Sequence, residues 1–297
     1  MQIDLVDHRW IDPVYQTTLR HPIWCRGVGV HSGKICEVHL QPADIHTGVT
    51  FVVNTNETCS NPTSAIWHNA RPNNMRTTLI ADNSSEVSTI EHLMSALVVS
   101  GVDNVQITTI GGELPILDGS AYDWMFLLAC AGQQIQPAVQ RAIVVTECIR
   151  VETKFGWIEL SPSDNFKVGY EIAYDHPMIK DEFVSFDITR DIFNRDIANA
   201  RTFGFERDAI HVKKLGLALG ASLTNTVVFD QQSVMNNNGL RWPNEPLRHK
   251  ILDIIGDLFL AGAPIIGEVH GYCSGHSLNY ELVKKLMTTP TAWVWSC

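Results

Sequence analysis

The sequence lacks the long apolar runs and the excess of basic residues that mark membrane-spanning and nucleic-acid-binding proteins. No stretch approaches the roughly 20 apolar residues that cross a bilayer, and the first ten residues, MQIDLVDHRW, carry charges where a signal peptide is apolar. The net charge is −10, whereas general binding to nucleic acid needs a basic face. We therefore expect a soluble, cytoplasmic protein without a nucleic-acid partner, although a local basic pocket for a phosphorylated small molecule is compatible with this composition.

The cysteines form neither a disulfide framework nor a zinc knuckle. There are seven, an odd number, and they are scattered without a C-x-x-C pair. This usage indicates a reducing compartment. The chain has 297 residues, of which 45% are hydrophobic and 18% charged, so it is long enough for two domains, each with its own core.

The order of elements predicts an α+β fold. In each half of the chain, short β-rich segments precede two helical segments, which favours a two-domain sandwich over a doubly wound sheet. The polar segment 132–141 contains Pro137 and no periodicity. We take it as the boundary between an N-terminal domain, residues 1–135, and a C-terminal domain, residues 136–297.

Five segments have helical character. In the first, Ser88 and Glu91 have the spacing of a capping box, and Gly101 is a typical helix stop. The predicted helices occupy residues 88–101, 118–132, 201–216, 247–262 and 274–286.

Three places in these helices carry candidate chemistry. Glu91 and His92 are adjacent in a first helical turn, and a capping glutamate beside an incidental histidine is the structural alternative. His276 lies between a strand end and a helix in the glycine-framed sequence SGHS. This position suits proton transfer, but it is also that of an ordinary loop histidine.

The third place is a polar stripe on an otherwise apolar helix. His249, Asp253 and Asp257 are spaced i, i+4, i+8 and therefore share one helix face. Buried charges need partners, and a metal ion held by a His-x-x-x-Asp pair would supply one. A His–Asp ion pair with a solvated second aspartate is the alternative. The zincin motif H-E-x-x-H is absent.

Six motifs, taken together and in this order, closely resemble the UDP-3-O-acyl-N-acetylglucosamine deacetylases of lipid A biosynthesis. The resemblance covers roughly residues 25–288. The motifs are VGVHSGK (28–34), TIEHLMSA (89–96), ELPILDGSA (113–121), ARTFGF (200–205), RHKILDIIGDL (248–258) and GHSLN (275–279).

The resemblance implies a zinc-dependent amidohydrolase that releases acetate from an acylated nucleotide sugar and acts as a monomer. The expected fold is a two-domain sandwich in which each domain is a β-sheet layer with two helices, and the helices pack between the domains. A set of two histidines and one carboxylate suits ferrous iron as well as zinc. The implied zinc ligands are His92, His249 and Asp253. Glu91 is the implied general base, and His276 is the implied oxyanion partner and general acid, oriented by Asp257. Thr202 is implied as a hydroxyl donor and Lys250 as a cation beside the metal.

Two positions depart from the family pattern at the nucleotide end of the substrate. The family usually has lysine directly before Trp157, where this chain has Gly156, and a basic residue where it has Cys273. Tyr174 still offers an aromatic face for uracil, and Lys154 is a candidate replacement cation. Tyr174, Lys154 and Phe203 are the residues predicted to contact the substrate.

These departures leave three functions open. The first is the lipid A enzyme with a rearranged binding site for the diphosphate. The second is a paralogue that hydrolyses another N-acyl amino sugar or N-acyl amine without UDP. The third is a non-catalytic binding protein of the same fold. Retention of the catalytic residues disfavours the third.

Overall fold

The computed structural model describes residues 14–54, 59–73, 75–82, 85–180 and 182–296. In these ranges it has both helices and several sheets, which confirms the predicted α+β class. The predicted division near residue 135 remains a prediction.

The first half forms an antiparallel-rich sheet with two helices. Its main sheet has the strand order β2-β3-β9-β4-β5, and β6-β7-β8 form a smaller sheet. The elements are β1 Tyr15–Leu19, β2 Ile23–Val28, β3 Ile35–Pro42, β4 Val49–Asn54, β5 Thr63–Ser64, β6 Ala70–Asn73, β7 Arg76–Asp82, β8 Ser85–Ser88, α1 Glu91–Ser100, β9 Val105–Ile110 and α2 Tyr122–Ala131.

The second half forms a larger mixed sheet. Its path is β12-β13-β18-β11-β19, and β14 pairs with both β18 and β15. The elements are β10 Gln133–Val139, β11 Ile143–Val145, β12 Ile149–Glu152, β13 Trp157–Ser161, β14 Phe166–Ile172, β15 Glu182–Asp187, α3 Arg190–Ile192, β16 Phe203–Phe205, α4 Glu206–Lys214, β17 Val227–Phe229, α5 Glu245–Leu258, β18 Ile265–Tyr272, α6 His276–Met287 and β19 Trp293–Trp295.

Three local predictions were wrong. The segment 132–141, predicted to be irregular, contains β10, which pairs antiparallel with β1. The predicted capping box fails because Ser88 ends a strand and α1 begins only at Glu91, with Ile90 as N-cap and no side-chain cap. The helix expected over 201–216 begins at Glu206, because Phe203–Phe205 pair with β17.

Helices α1 and α5 pack directly on each other and carry most of the candidate residues. They come close at Gly256, where an added β-carbon would collide with the backbone carbonyl of Glu91. Only a residue without a β-carbon allows this contact. The approach brings the first turn of α1 against the stripe of α5 that contains Asp253.

Both helices are almost fully enclosed. Nearly all of their residues are buried, including most of the polar ones, so the hydrophobic core surrounds the candidate site on its inner side. In the parts of the chain that the structure describes, no helix has the length and apolarity to cross a membrane.

Candidate metal centre and active site

Three side chains from α1 and α5 converge on one point. One nitrogen of His92, one of His249 and a carboxylate oxygen of Asp253 lie within 4.8 Å of one another, and all three residues are buried. The Asp253 Oδ1 atom is 3.4 Å from His249 Nε2 and 3.8 Å from His92 Nε2. Spacing of i, i+4 on α5 places His249 beside Asp253, and helix packing adds His92.

The chemistry of this group fits a divalent cation. Asp253 Oδ1 is buried without a hydrogen-bond partner among the described residues, and an orphaned buried carboxylate oxygen is costly unless an ion or donor satisfies it. His249 Nδ1 lies 2.9 Å from the carbonyl oxygen of Ala200. A proton on Nδ1 leaves the Nε2 lone pair directed at the group, as metal-binding histidines require.

Burial keeps both histidines neutral, which is the form that binds metals. It lowers the pKa of His92 to about 3, with help from the nearby His249, and it also lowers the pKa of His249. Burial alone would raise the pKa of Asp253, but His249 and Lys250 hold it well below its usual range. The Lys250 ammonium donates to Asp253 Oδ2 at 2.9 Å, so this oxygen is already satisfied.

Glu91 stands at the start of α1 beside this cluster. Burial raises the pKa of its carboxyl group to about 7. Its Oε2 accepts a hydrogen bond from the backbone N–H of Thr77 at 3.1 Å, which fixes the carboxyl group without neutralising it. A carboxyl group with a pKa near neutrality can accept and return a proton under ordinary conditions.

His276, the first residue of α6, also lies beside the cluster. Its Nδ1 is 2.8 Å from Asp257 Oδ2, and that oxygen also accepts from Asn279 at 2.8 Å. Burial alone would lower the pKa of His276, but Asp257 raises it to about 9. The imidazole therefore carries a proton at neutral pH, and its Nε2 lies 4.0 Å from Asp253 Oδ2.

Two further residues belong to this site although the sequence did not single them out. The Thr77 hydroxyl donates to Asp257 at 2.6 Å and lies 3.4 Å from His276 Nδ1. Asn279 was within a recognised motif but had no assigned role. Thr77 lies on β7, and an isolated threonine on a strand gives no sequence signal for such a contact.

A cavity of about 610 Å³ opens over the cluster. Thr202, Phe203 and Tyr174 line it together with the metal-site residues, as does His31, which had no assigned role. The backbone of Thr202 is fixed because its N–H donates to Gly119 and its carbonyl accepts from Val227, both at 2.8 Å. Phe203 packs edge-on against Tyr174, with ring centroids 5.9 Å apart.

Lys154 does not line this cavity. It lies in the exposed turn between β12 and β13, with its ammonium 4.6 Å from the ring of Phe155. The next residue but one, Gly156, is pressed against the end of β18: an added β-carbon would lie 2.5 Å from the carbonyl oxygen of Tyr272 and 2.6 Å from that of Cys273. A side chain at position 156 therefore has no room in this structure.

His211, an exposed residue of α4, also lines the cavity.

The arrangement defines a class of site: a buried His-His-Asp group that can hold a metal ion, flanked by a carboxyl group and an imidazolium held by a carboxylate. A proton acceptor and a proton donor beside one metal position are suited to hydrolysis, where one group removes a proton from water and another delivers one to the leaving group.

Comparison with known proteins assigns the family. The model of the UDP-3-O-acyl N-acetylglycosamine deacetylase family matches residues 16–288. Among similar proteins are UDP-3-O-acyl-N-acetylglucosamine deacetylases from Acidithiobacillus ferrooxidans (40% identical over 286 residues), Shewanella loihica (40% over 282) and Idiomarina loihiensis (38% over 283). Each alignment covers 94% of this chain and 92% of the relative. The chain belongs to the UDP-3-O-acyl-N-acetylglucosamine deacetylase family.

Proposed function

We propose that this protein hydrolyses the N-acetyl amide of UDP-3-O-acyl-N-acetylglucosamine, the substrate named for its relatives, and releases acetate and a free amine. One observation carries the assignment most directly. The buried carboxyl group of Glu91 and the His276–Asp257 pair flank a three-ligand group with an unsatisfied carboxylate oxygen.

We assign zinc to the site, held by His92, His249 and Asp253, and ferrous iron is the alternative that the same donor set accepts. A divalent cation bound there would polarise the amide carbonyl and lower the pKa of a bound water. Three protein ligands leave room for substrate in the coordination shell.

Glu91 is the proposed general base. An amide is a poor electrophile, so the attacking water must lose its proton as it adds to the carbonyl carbon. The carboxylate of Glu91 accepts that proton, and its position next to His92 keeps it close to the reacting water. Its raised pKa makes it a stronger base than an exposed glutamate.

His276 is the proposed general acid. Its protonated ring lies at the site, and Asp257 holds its orientation through Nδ1. Nε2 is therefore the atom that donates a proton to the departing amine. Before this transfer, the positive ring stabilises the negative charge that develops on the amide oxygen.

Thr202 and Lys250 have supporting electrostatic roles at the site. We propose that the Thr202 hydroxyl donates to the developing oxyanion from the cavity wall, where its backbone is fixed. Lys250, which is paired with Asp253, offsets the carboxylate charge. Phe203 and Tyr174 provide the aromatic surface for the substrate, and we propose the uracil-stacking role for Tyr174.

The turn between β12 and β13 leaves a second class of substrate open, because it supplies no cation to the cavity. Gly156 leaves no space for a side chain, and Lys154 is absent from the cavity lining. Charge-assisted hydrogen bonds to a phosphate contribute about 1.5–3 kcal/mol each. Weak binding of the diphosphate would therefore favour an N-acyl amine without UDP as the substrate. The roles of Lys154, a monomeric state and a cytoplasmic location remain predictions.

The test is acetate release by the zinc-loaded protein from three substrates: UDP-3-O-acyl-N-acetylglucosamine, its non-acylated form, and N-acetylglucosamine without UDP. The expected result is turnover that is fastest with the first. Turnover only without UDP would establish the alternative. Absence of turnover with all three, in protein that binds zinc, would contradict the hydrolase assignment.

A further inference from the structure

The loop between β2 and β3, residues 29–34, has no role in the proposed chemistry, yet it reaches the cavity through His31. This side chain is only 4% exposed. Its backbone is held in place, because the N–H groups of His31 and Ser32 each donate to a carboxylate oxygen of Glu113 at 2.8 Å. Glu113 is itself buried. The loop is therefore a fixed platform and not a loose surface turn.

The loop also holds a segment of the cavity wall, residues 217–221. Leu219 N–H donates to the carbonyl of His31 at 3.1 Å, and Gly220 N–H donates to that of Val30 at 3.0 Å. The N–H of Ala218 donates to the imidazole Nδ1 of His31 at 3.3 Å. Ala218 lines the cavity, so a ring from the first half of the chain fixes a wall from the second half.

Burial and the nearby Arg76 lower the pKa of His31 to about 4, so the ring is neutral at neutral pH. Because Nδ1 accepts from Ala218, the proton of the neutral ring is on Nε2. Nδ1 therefore stays available as the acceptor for the wall at Ala218.

We propose that His31 is a positioning residue that bridges the loop at residues 29–34 and the cavity wall at residues 217–221, with Nδ1 accepting from the N–H of Ala218. That this cavity receives the acylated substrate rests on the proposed function. The bridge itself rests only on the contacts around the ring.

The test uses isosteric substitutions in the full-length, zinc-loaded protein, followed by amide hydrogen exchange. In His31→Asn the side-chain oxygen takes the place of Nδ1, whereas in His31→Gln the amide nitrogen takes the place of Nε2. We expect exchange at Ala218, Leu219 and Gly220 to rise about ten-fold in His31→Gln, the effect of losing one hydrogen bond, and less than about three-fold in His31→Asn.

His176 supplies a matched control. It is buried, and its Nδ1 likewise accepts from a backbone N–H, that of Met178, at 3.2 Å. Its Nε2 is 2.9 Å from the carbonyl of Asp230. It is not part of the cavity lining. His176→Gln should raise exchange at Met178 and leave exchange at Ala218 at the wild-type rate.

A kinetic measurement separates positioning from catalysis. His31→Gln should raise KM for the acylated substrate more than it lowers kcat, His31→Asn should raise KM less, and the zinc content of both should match the wild type. Unchanged exchange at residues 218–220 in His31→Gln, or greater exchange in His31→Asn than in His31→Gln, would overturn the bridge. If the exchange pattern holds but the wild type does not release acetate, the proposed function fails and the bridge stands.

Discussion

Replacing Gly256 by alanine tests whether the packing of α1 on α5 sets the geometry of the metal group. A β-carbon at position 256 would lie 2.8 Å from the carbonyl carbon of Glu91, and closer still to its oxygen. Ordinary carbon–carbon contacts begin at about 3.5 Å, so the helices must separate by roughly 0.7 Å or more. His92 would move with α1, while His249 and Asp253 would stay with α5.

This displacement is large compared with what metal ligands tolerate. Ligand distances in working sites stay within about 0.2 Å of their ideal values, so Gly256→Ala should weaken zinc binding by about 10–100-fold. Overpacking costs about 1–3 kcal/mol in unfolding free energy, and the higher helix propensity of alanine offsets at most about 1 kcal/mol of it. Activity should fall with the metal content.

Three assays check this prediction: competition with a chelator for zinc affinity, urea denaturation for stability, and acetate release at saturating zinc. Gly204→Ala is the control, because an added methyl group there meets no atom within 4 Å. It should bind zinc as the wild type does. Wild-type zinc affinity in Gly256→Ala would refute the reasoning that helix contact positions the ligands.

Other predictions concern individual groups. His249→Ala should lose bound metal and activity together, measured by metal analysis and acetate release. Glu91→Ala should keep its metal but lose about 10²–10⁴-fold in kcat; retained turnover would remove it as the base. The pH–rate profile should rise as Glu91 loses its proton near pH 7 and fall as His276 loses its proton near pH 9, so a monotonic profile would contradict paired acid–base catalysis. Arg201→Ala should cost about 3–5 kcal/mol in urea denaturation, because it leaves Glu245 buried without its cation; a loss below 1 kcal/mol would show that the pair is not needed.

The site elements that the sequence predicted best are those whose spacing lies within one helix. Periodicity places His249, Asp253 and Asp257 on one face of α5, and the structure has them there. The position of His92 beside them depends on helix packing, which spacing alone does not contain; only the family resemblance linked the two segments.

Contacts between distant segments explain what the sequence missed. Thr77 reaches Asp257 across 180 residues, and His31 reaches Ala218 across 187. Local patterns carry no information on such pairs. The β-character of Phe203–Phe205 was likewise hidden, because these residues become a strand by pairing with β17, against the helical pattern that follows them.

Lys154 lies two positions before Gly156, and this short sequence distance suggested that it could replace the missing family lysine. In the structure Gly156 packs on the end of β18 and Lys154 lies outside the cavity lining, so its contact with substrate stays a prediction.

The most direct test of the central claim is a titration of the metal-free protein with zinc, in which bound metal and acetate release from UDP-3-O-acyl-N-acetylglucosamine are measured in the same samples. Activity should rise with bound zinc and reach its maximum at one equivalent, and His249→Ala should show neither tight binding nor turnover. Full activity in the metal-free protein, or in His249→Ala, would contradict the assignment of His92, His249 and Asp253 as the metal centre of a deacetylase.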